Sequence, residues 1–217
     1  MKKISLFTLT VLIGLGVFAQ DQPVLRTEMA VTPRFGIKAG VNMPTLEIDD
    51  DSQTNPLNTN MKTSFNAGVF VNVPLGGNLR FQPELVYNGQ GSKVSTTVGA
   101  STQNFEYDFH YLSVPLMFQL QSPGGFWGEL GPQIGFLLKG EQDGPGSTEV
   151  DLKDDMKKTD FSASAGIGYL SRIGLGLGAR YNMGFSNIYD ADAPNDEGKY
   201  KNRVLSFSLY YHFGANK

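Results

Sequence analysis

The chain contains no cysteine. That removes disulfides, thiolate nucleophiles and sulfur metal ligands from its chemistry, so any stability in an oxidising compartment must come from hydrogen-bonded ladders and packing. Past the first 19 residues no eighteen consecutive apolar residues occur. A helical membrane span is therefore excluded, although crossing by strands is not. Basic charge is also short: 18 Lys and Arg face 21 Asp and Glu, for a formal charge of −3. A nucleic-acid partner, which needs a basic face, is not expected. Histidine is nearly absent, with His110 and His212 the two in the chain.

The N-terminus reads as a targeting segment. Lys2 and Lys3 precede an apolar run over 4–18 broken by Ser5, Thr8, Thr10 and two glycines. Val17-Phe18-Ala19 then offers a cleavage site before Gln20. The pattern predicts a signal peptide over 1–19, too short for a comfortable membrane anchor. No cysteine follows that site, which argues against a lipid anchor. Residues 20–33 form a polar periplasmic lead-in, and 34–217 form the folded domain.

What the domain does have is glycine (26), Phe (15) and Tyr (9), arranged with a period of two. Eight alternating segments are predicted as strands, over 34–43, 62–73, 79–93, 105–121, 126–139, 159–170, 174–185 and 201–213. In the first, Phe35, Ile37, Ala39 and Val41 share one face, and Gly36, Lys38, Gly40 and Asn42 the other. The gaps alternate in length. Tight turns are expected at 74–78, 122–125 and 171–173, and long polar loops at 44–61, 94–104, 140–158 and 186–199. In the fourth segment Leu112, Val114, Leu116, Phe118 and Leu120 alternate cleanly, but Phe105, Tyr107, Phe109 and Tyr111 hold the opposite parity. Either a bulge switches the face there or the upper part stands above the membrane. Pro83, Pro115 and Pro132 fall inside strands, where local bulges are expected.

Alternation alone also fits a soluble sandwich or a lipocalin-like barrel. The strict parity of loop lengths, aromatics near the strand ends, and charges on the polar face (Lys38, Arg80, Glu84, Glu129, Arg180) favour a membrane barrel. The expected fold is all-β, an eight-stranded antiparallel up-and-down transmembrane β-barrel. With an even strand number both termini lie on one side. Short turns belong to the periplasm and long loops to the outside, so both termini are expected in the periplasm of an outer-membrane protein.

Several stretches resemble PorT-like outer-membrane β-barrel proteins. They are Phe35-Gly36-Ile37-Lys38-Ala39-Gly40-Val41-Asn42, Gln82-Pro83-Glu84-Leu85-Val86-Tyr87, Tyr111-Leu112-Ser113-Val114-Pro115-Leu116, Gly131-Pro132, Arg180-Tyr181-Asn182 and the closing Tyr210-Tyr211-His212-Phe213. The resemblance covers nearly all of the mature chain. It implies an eight-stranded barrel in a Gram-negative outer membrane. It does not imply one function, because the family is defined by its fold. Some similar proteins serve a secretion system.

The chemistry expected of such a chain is modest. An eight-stranded barrel is just wide enough to be filled by side chains. Lys38, Arg80, Glu84, Glu129, Gln133 and Arg180 are expected to fill the lumen and pair with one another, either as a plug or as a gate. His110 sits near Glu106 and Asp108, with His212 toward the other end, and no nucleophile motif accompanies either, so no catalytic residue is assigned. The outer loops are acidic. Asp49, Asp50 and Asp51, with Asp190 and Asp192, are candidate contacts for a cation such as Ca²⁺ or Mg²⁺, or for a partner, although EF-hand spacing is missing. Gly174-Leu175-Gly176-Leu177-Gly178 lacks the following helix of a phosphate loop; its glycines are expected to make room for Arg180 and its neighbours. No cofactor is expected. The expected role is non-enzymatic, either structural or loop-mediated binding. The alternatives are a secretion component, a barrel for small hydrophobic or glycan ligands, and, less favoured, a rim-site enzyme. Expected partners are outer-membrane lipid and lipopolysaccharide, the barrel-assembly machinery, and a secretion-system or extracellular partner.

Overall fold

The computed structural model describes residues 32–49, 58–60, 62–98, 101–144, 150–151, 156–186 and 199–214. Eight long strands run in chain order: β1 (Arg34–Asp49), β2 (Ser64–Gly76), β3 (Leu79–Val98), β4 (Ser101–Gln121), β5 (Phe126–Asp143), β6 (Thr159–Leu170), β7 (Leu175–Gly184) and β8 (Lys199–His212). Each pairs antiparallel with its neighbour in sequence, and β1 also pairs with β8 from Gly36↔His212 to Asp49↔Lys199. That last ladder closes the sheet into a barrel with no free edge, so the backbone of the wall is satisfied within the wall. Two short pieces add to the rim: Asn58–Asn60 on β3 and Val150–Asp151 on β5.

The barrel is inside out relative to a soluble protein. Phe35, Leu120, Phe126, Leu130, Ile167 and Ile173 are each more than 60% exposed, while Lys38, Glu84, Glu129 and Arg180 are at most 6% exposed. A continuous apolar wall of this extent has one solvent that suits it, the hydrocarbon of a bilayer. Aromatics mark its two borders. Phe126 packs on Tyr169, and Tyr211 on Phe213, at the end with the short turns; Phe65 stacks on Tyr87 toward the other.

The three tight turns form where expected. Gly77, Gly125 and Gly174 supply the positive φ that two- to four-residue connections need, at 55°, 93° and 85°. Three of the four long loops are shorter than expected, and the one before β8 keeps its expected length. β1 continues to Asp49, and β3 and β4 stay paired out to Val98↔Ser101, so most of the stretch read as a loop at 94–104 is hairpin. The aromatic parity question resolves without a switch in β4. Phe109, Tyr111, Ser113, Met117 and Gln119 all face inward, and the irregularity sits in the partner strand, where His110 opposes Lys139 but Tyr111 opposes Leu137. The expected proline bulges are absent. The ladders at Pro83, Pro115 and Pro132 resume in the same register on either side, and the register shifts are at Pro74/Gly76 and His110/Tyr111. Proline is accommodated there by locally omitted pairing rather than by an inserted residue.

Candidate functional site

Inward parity brings four charges from four strands to one level of the lumen. Arg180 of β7 donates Nη1 to Glu84 Oε2 at 2.8 Å and Nη2 to Glu84 Oε1 at 2.7 Å. Its Nε donates to Glu129 Oε1 of β5 at 2.7 Å. Lys38 of β1 donates to Glu84 Oε2 at 3.0 Å, with its ammonium 5.0 Å from the centroid of the Tyr210 ring. The two cations and two carboxylates balance. The fork of the guanidinium matches Glu84 end on and still reaches Glu129, so both acids are charge-paired in a site closed to water. Amides complete the shell: Gln82 Nε2 donates to Glu84 Oε1 and Gln119 Nε2 to Glu129 Oε2, each at 2.8 Å. Asn72 Nδ2 donates to both glutamine carbonyls at 2.8 Å.

The other two expected lumen residues stand apart. Gln133 is buried on the β5 wall, outside the bonded set. Arg80 pairs with no carboxylate among the described residues; its Nη1 donates to Asn72 Oδ1 at 3.1 Å and its head belongs to the short-turn mouth. Gln82, Gln119 and Asn72 share the inward parity of the charged residues, and that parity is the signal by which a sequence reader finds them.

Packed layers lie on either side of the quartet. Toward the short turns, Phe70, Trp127 and Tyr210 form an aromatic layer with Leu170. The Trp127–Tyr210 and Phe70–Tyr210 centroid distances are 5.7 and 6.0 Å. The glycines of β6 and β7 make room mainly for this layer rather than for Arg180: a Cβ at Gly178 would come 2.7 Å from the Trp127 ring. Toward the loops lies a hydrogen-bonded amide and hydroxyl layer. Asn66 Nδ2 and Ser206 Oγ donate to Asn42 Oδ1 at 2.7 and 2.8 Å, and Asn88 Nδ2 donates to Ser113 Oγ at 3.0 Å. Above it Phe109, Tyr111, Leu137 and Met156 are nearly fully buried. One enclosed cavity in the lumen, beside Gln82, Gln119 and Tyr210, holds about 10 Å³, the space of a single water at most.

The rim residues considered for chemistry are engaged otherwise. His110 Nδ1 lies 2.8 Å from Tyr87 Oη, on the outward face, and the two rings stack. Glu106 and Asp108 instead hold the Lys62 ammonium, at 2.7 and 2.5 Å. That contact holds the Glu106 carboxyl below the usual carboxylate range. Burial pulls the Lys62 ammonium down, but its two carboxylates outweigh this and hold it above its ordinary value. Asp49 closes β1 opposite Lys199; Asp50, Asp51, Asp190 and Asp192 lie outside the described residues. Among the described residues no group of three His, Asp or Glu could hold a metal ion.

A closed eight-stranded antiparallel barrel with an apolar outer band and a neutral, filled lumen defines the class of small outer-membrane barrels. The chain belongs to the outer membrane protein beta-barrel domain family, whose model matches residues 18–190. No curated protein matches it. Solved structures similar to it include Neisserial surface protein A (12% identity, 82% of this chain and 97% of the other, TM-score 0.49). Another is Ail, the attachment invasion locus protein of Yersinia pestis (15% identity, 83% and 98%, TM-score 0.45). A third is OprG of Pseudomonas aeruginosa (12% identity, 84% and 97%, TM-score 0.43).

Proposed function

We propose that this outer-membrane barrel is a non-enzymatic anchor that holds its wall rigid and offers its long, acidic loops to partners outside the cell. The observation that carries this reading is the filled lumen. A charge-balanced quartet lies between packed layers, so the interior serves stability and leaves recognition to the loop end. In this reading residues 1–19 are a cleaved leader, both termini face the periplasm, and the loop carboxylates, Asp49 to Asp51 with Asp190 and Asp192, contact a cation or a partner. Lipid and lipopolysaccharide surround the wall, and the barrel-assembly machinery inserts it. The motifs quoted above support a place among PorT-like barrels, and through it the second reading, a component of a secretion assembly.

Loop replacement tests the proposal. Short Gly-Ser linkers in place of 145–149 and 187–198 should leave heat-modifiable gel migration intact and abolish capture of a partner by cross-linking on whole cells. Retention of the same cross-linked partner by the linker variant would move recognition to the wall or to the periplasmic end, as a secretion component requires. Calcium titration of the intact protein belongs to the same test: heat of binding that vanishes in D190N/D192N assigns the acidic loop to a cation, and an absence of heat leaves it to protein contacts.

A further inference from the structure

At the short-turn end the lumen opens into a polar cavity of about 670 Å³. Unlike that of the quartet above it, the charge of its described lining is not balanced. Arg34, Arg80 and Arg172 all line it, with Asn78, Gln121 and Ser122 among the remaining walls. Among the described residues no carboxylate lines it and none of the three guanidiniums forms an ion pair. Arg34 and Arg80 are close enough to repel each other, and both act on His212 just inside.

Two buried polar atoms at this end lack a partner, Arg80 Nε and His212 Nδ1. His212 is 6% exposed and lines the small enclosed cavity that shares Gln121 and Leu170 with the mouth. A guanidinium cannot lose its proton, so Arg80 Nε–H remains a donor in search of an acceptor. The site is also built rather than loose. Arg80 Nη1 is fixed on Asn72 Oδ1, and Asn72 is held in turn by Gln82 and Gln119. The network that neutralises the lumen therefore also holds an unneutralised guanidinium at its mouth.

From this we infer that the short-turn mouth is an anion site that takes a phosphate group, with Arg34, Arg80 and Arg172 as its cations. Guanidinium forks match tetrahedral phosphate oxygens in pairs, and three cations on one cavity favour an acceptor with more than two oxygens. The phosphate can come from a phospholipid headgroup of the adjoining leaflet or from a soluble phosphate ester. The inference does not depend on whether the loops bind a partner.

The test uses the full-length folded barrel labelled for arginine Nε–H resonances, in phosphate-free detergent micelles and in phosphatidylglycerol nanodiscs. In dodecyl maltoside micelles, which carry no phosphate, titration with glycerol 3-phosphate should move the Arg80 Nε–H signal saturably. Each guanidinium replaced in R34Q and R172Q should weaken binding roughly tenfold, the scale of one charge-assisted contact. These two positions leave the Arg80–Asn72 bond untouched, so folding, read by heat-modifiable migration, is preserved. R80Q should abolish binding, read on the Arg34 and Arg172 Nε–H signals. A lipid source is indicated if phosphatidylglycerol nanodiscs alone place the signal at its saturated position, and a soluble source if they do not. An Arg80 signal that is unmoved by the soluble ester in micelles and the same in phosphatidylglycerol nanodiscs, or binding by R34Q and R172Q equal to that of the unaltered protein, overturns the inference.

Discussion

Glu84 is the residue on which the interior turns, because it accepts from Arg180, Lys38 and Gln82 at once. Removing its charge leaves two buried cations sharing Glu129. Loss of one partner from a buried pair costs about 3–5 kcal/mol, so E84Q should lower unfolding stability in urea by that order. K38M/E84Q restores neutrality and should lose distinctly less than E84Q and K38M taken together. Strict additivity of the two single changes would show that Lys38 and Glu84 do not interact. A second residue-scale prediction uses the single tryptophan. Gly178→Val puts its side chain into the Trp127 ring, and overpacking of a filled core costs about 1–3 kcal/mol. Trp127 fluorescence should shift with the loss of stability. Gly128→Ala, whose Cβ would meet nothing nearer than Gly166 O at 4.0 Å, should change neither.

At the scale of the element, the β3–β4 hairpin rises past Asn88, where β2 ends its pairing, and is tied to the approach to β2 by Lys62. Glu106 is held below its ordinary value first by the Lys62 hydrogen bond. A depressed carboxyl contributes stability that is present above its unfolded value, about 4.3, and is lost as pH falls through the folded one. Amide exchange in the upper hairpin should therefore accelerate on acidification below about pH 4 relative to the wall strands, and K62M should remove that difference. Because Glu106 is part-exposed, the effect is confined to local opening. This same hairpin shows where a sequence reader loses the fold. Period two is visible only while one face meets lipid and the other the lumen. Ser95 to Thr97 carry no alternation although β3 and β4 stay paired there, so a continuing strand reads as a loop. The inward set of Lys38, Glu84, Glu129 and Arg180 was legible from parity. The separation of Arg80 from them was not, since parity gives the side of the wall and says nothing of height or of partner. The prolines misled for a related reason: a ladder can skip a bond without inserting a residue, and composition does not distinguish the two.

For the whole molecule, the question is whether the quartet is a gate or one packed layer among several. If it alone closed the lumen, emptying it would open a pore. The structure places the Phe70, Trp127 and Tyr210 layer on one side and the buried Phe109, Tyr111, Leu137 and Met156 on the other. An eight-stranded wall leaves no path around either. E84A/R180A removes one cation and one carboxylate together, so it strips the quartet to Lys38 and Glu129 and leaves the level neutral. In planar bilayers this variant, like the unaltered protein, should show no steady open state. Adding Trp127→Ala and Phe109→Ala to it should produce one. Steady conductance from E84A/R180A alone would make the quartet the gate and would move the proposed function from the loops to the lumen.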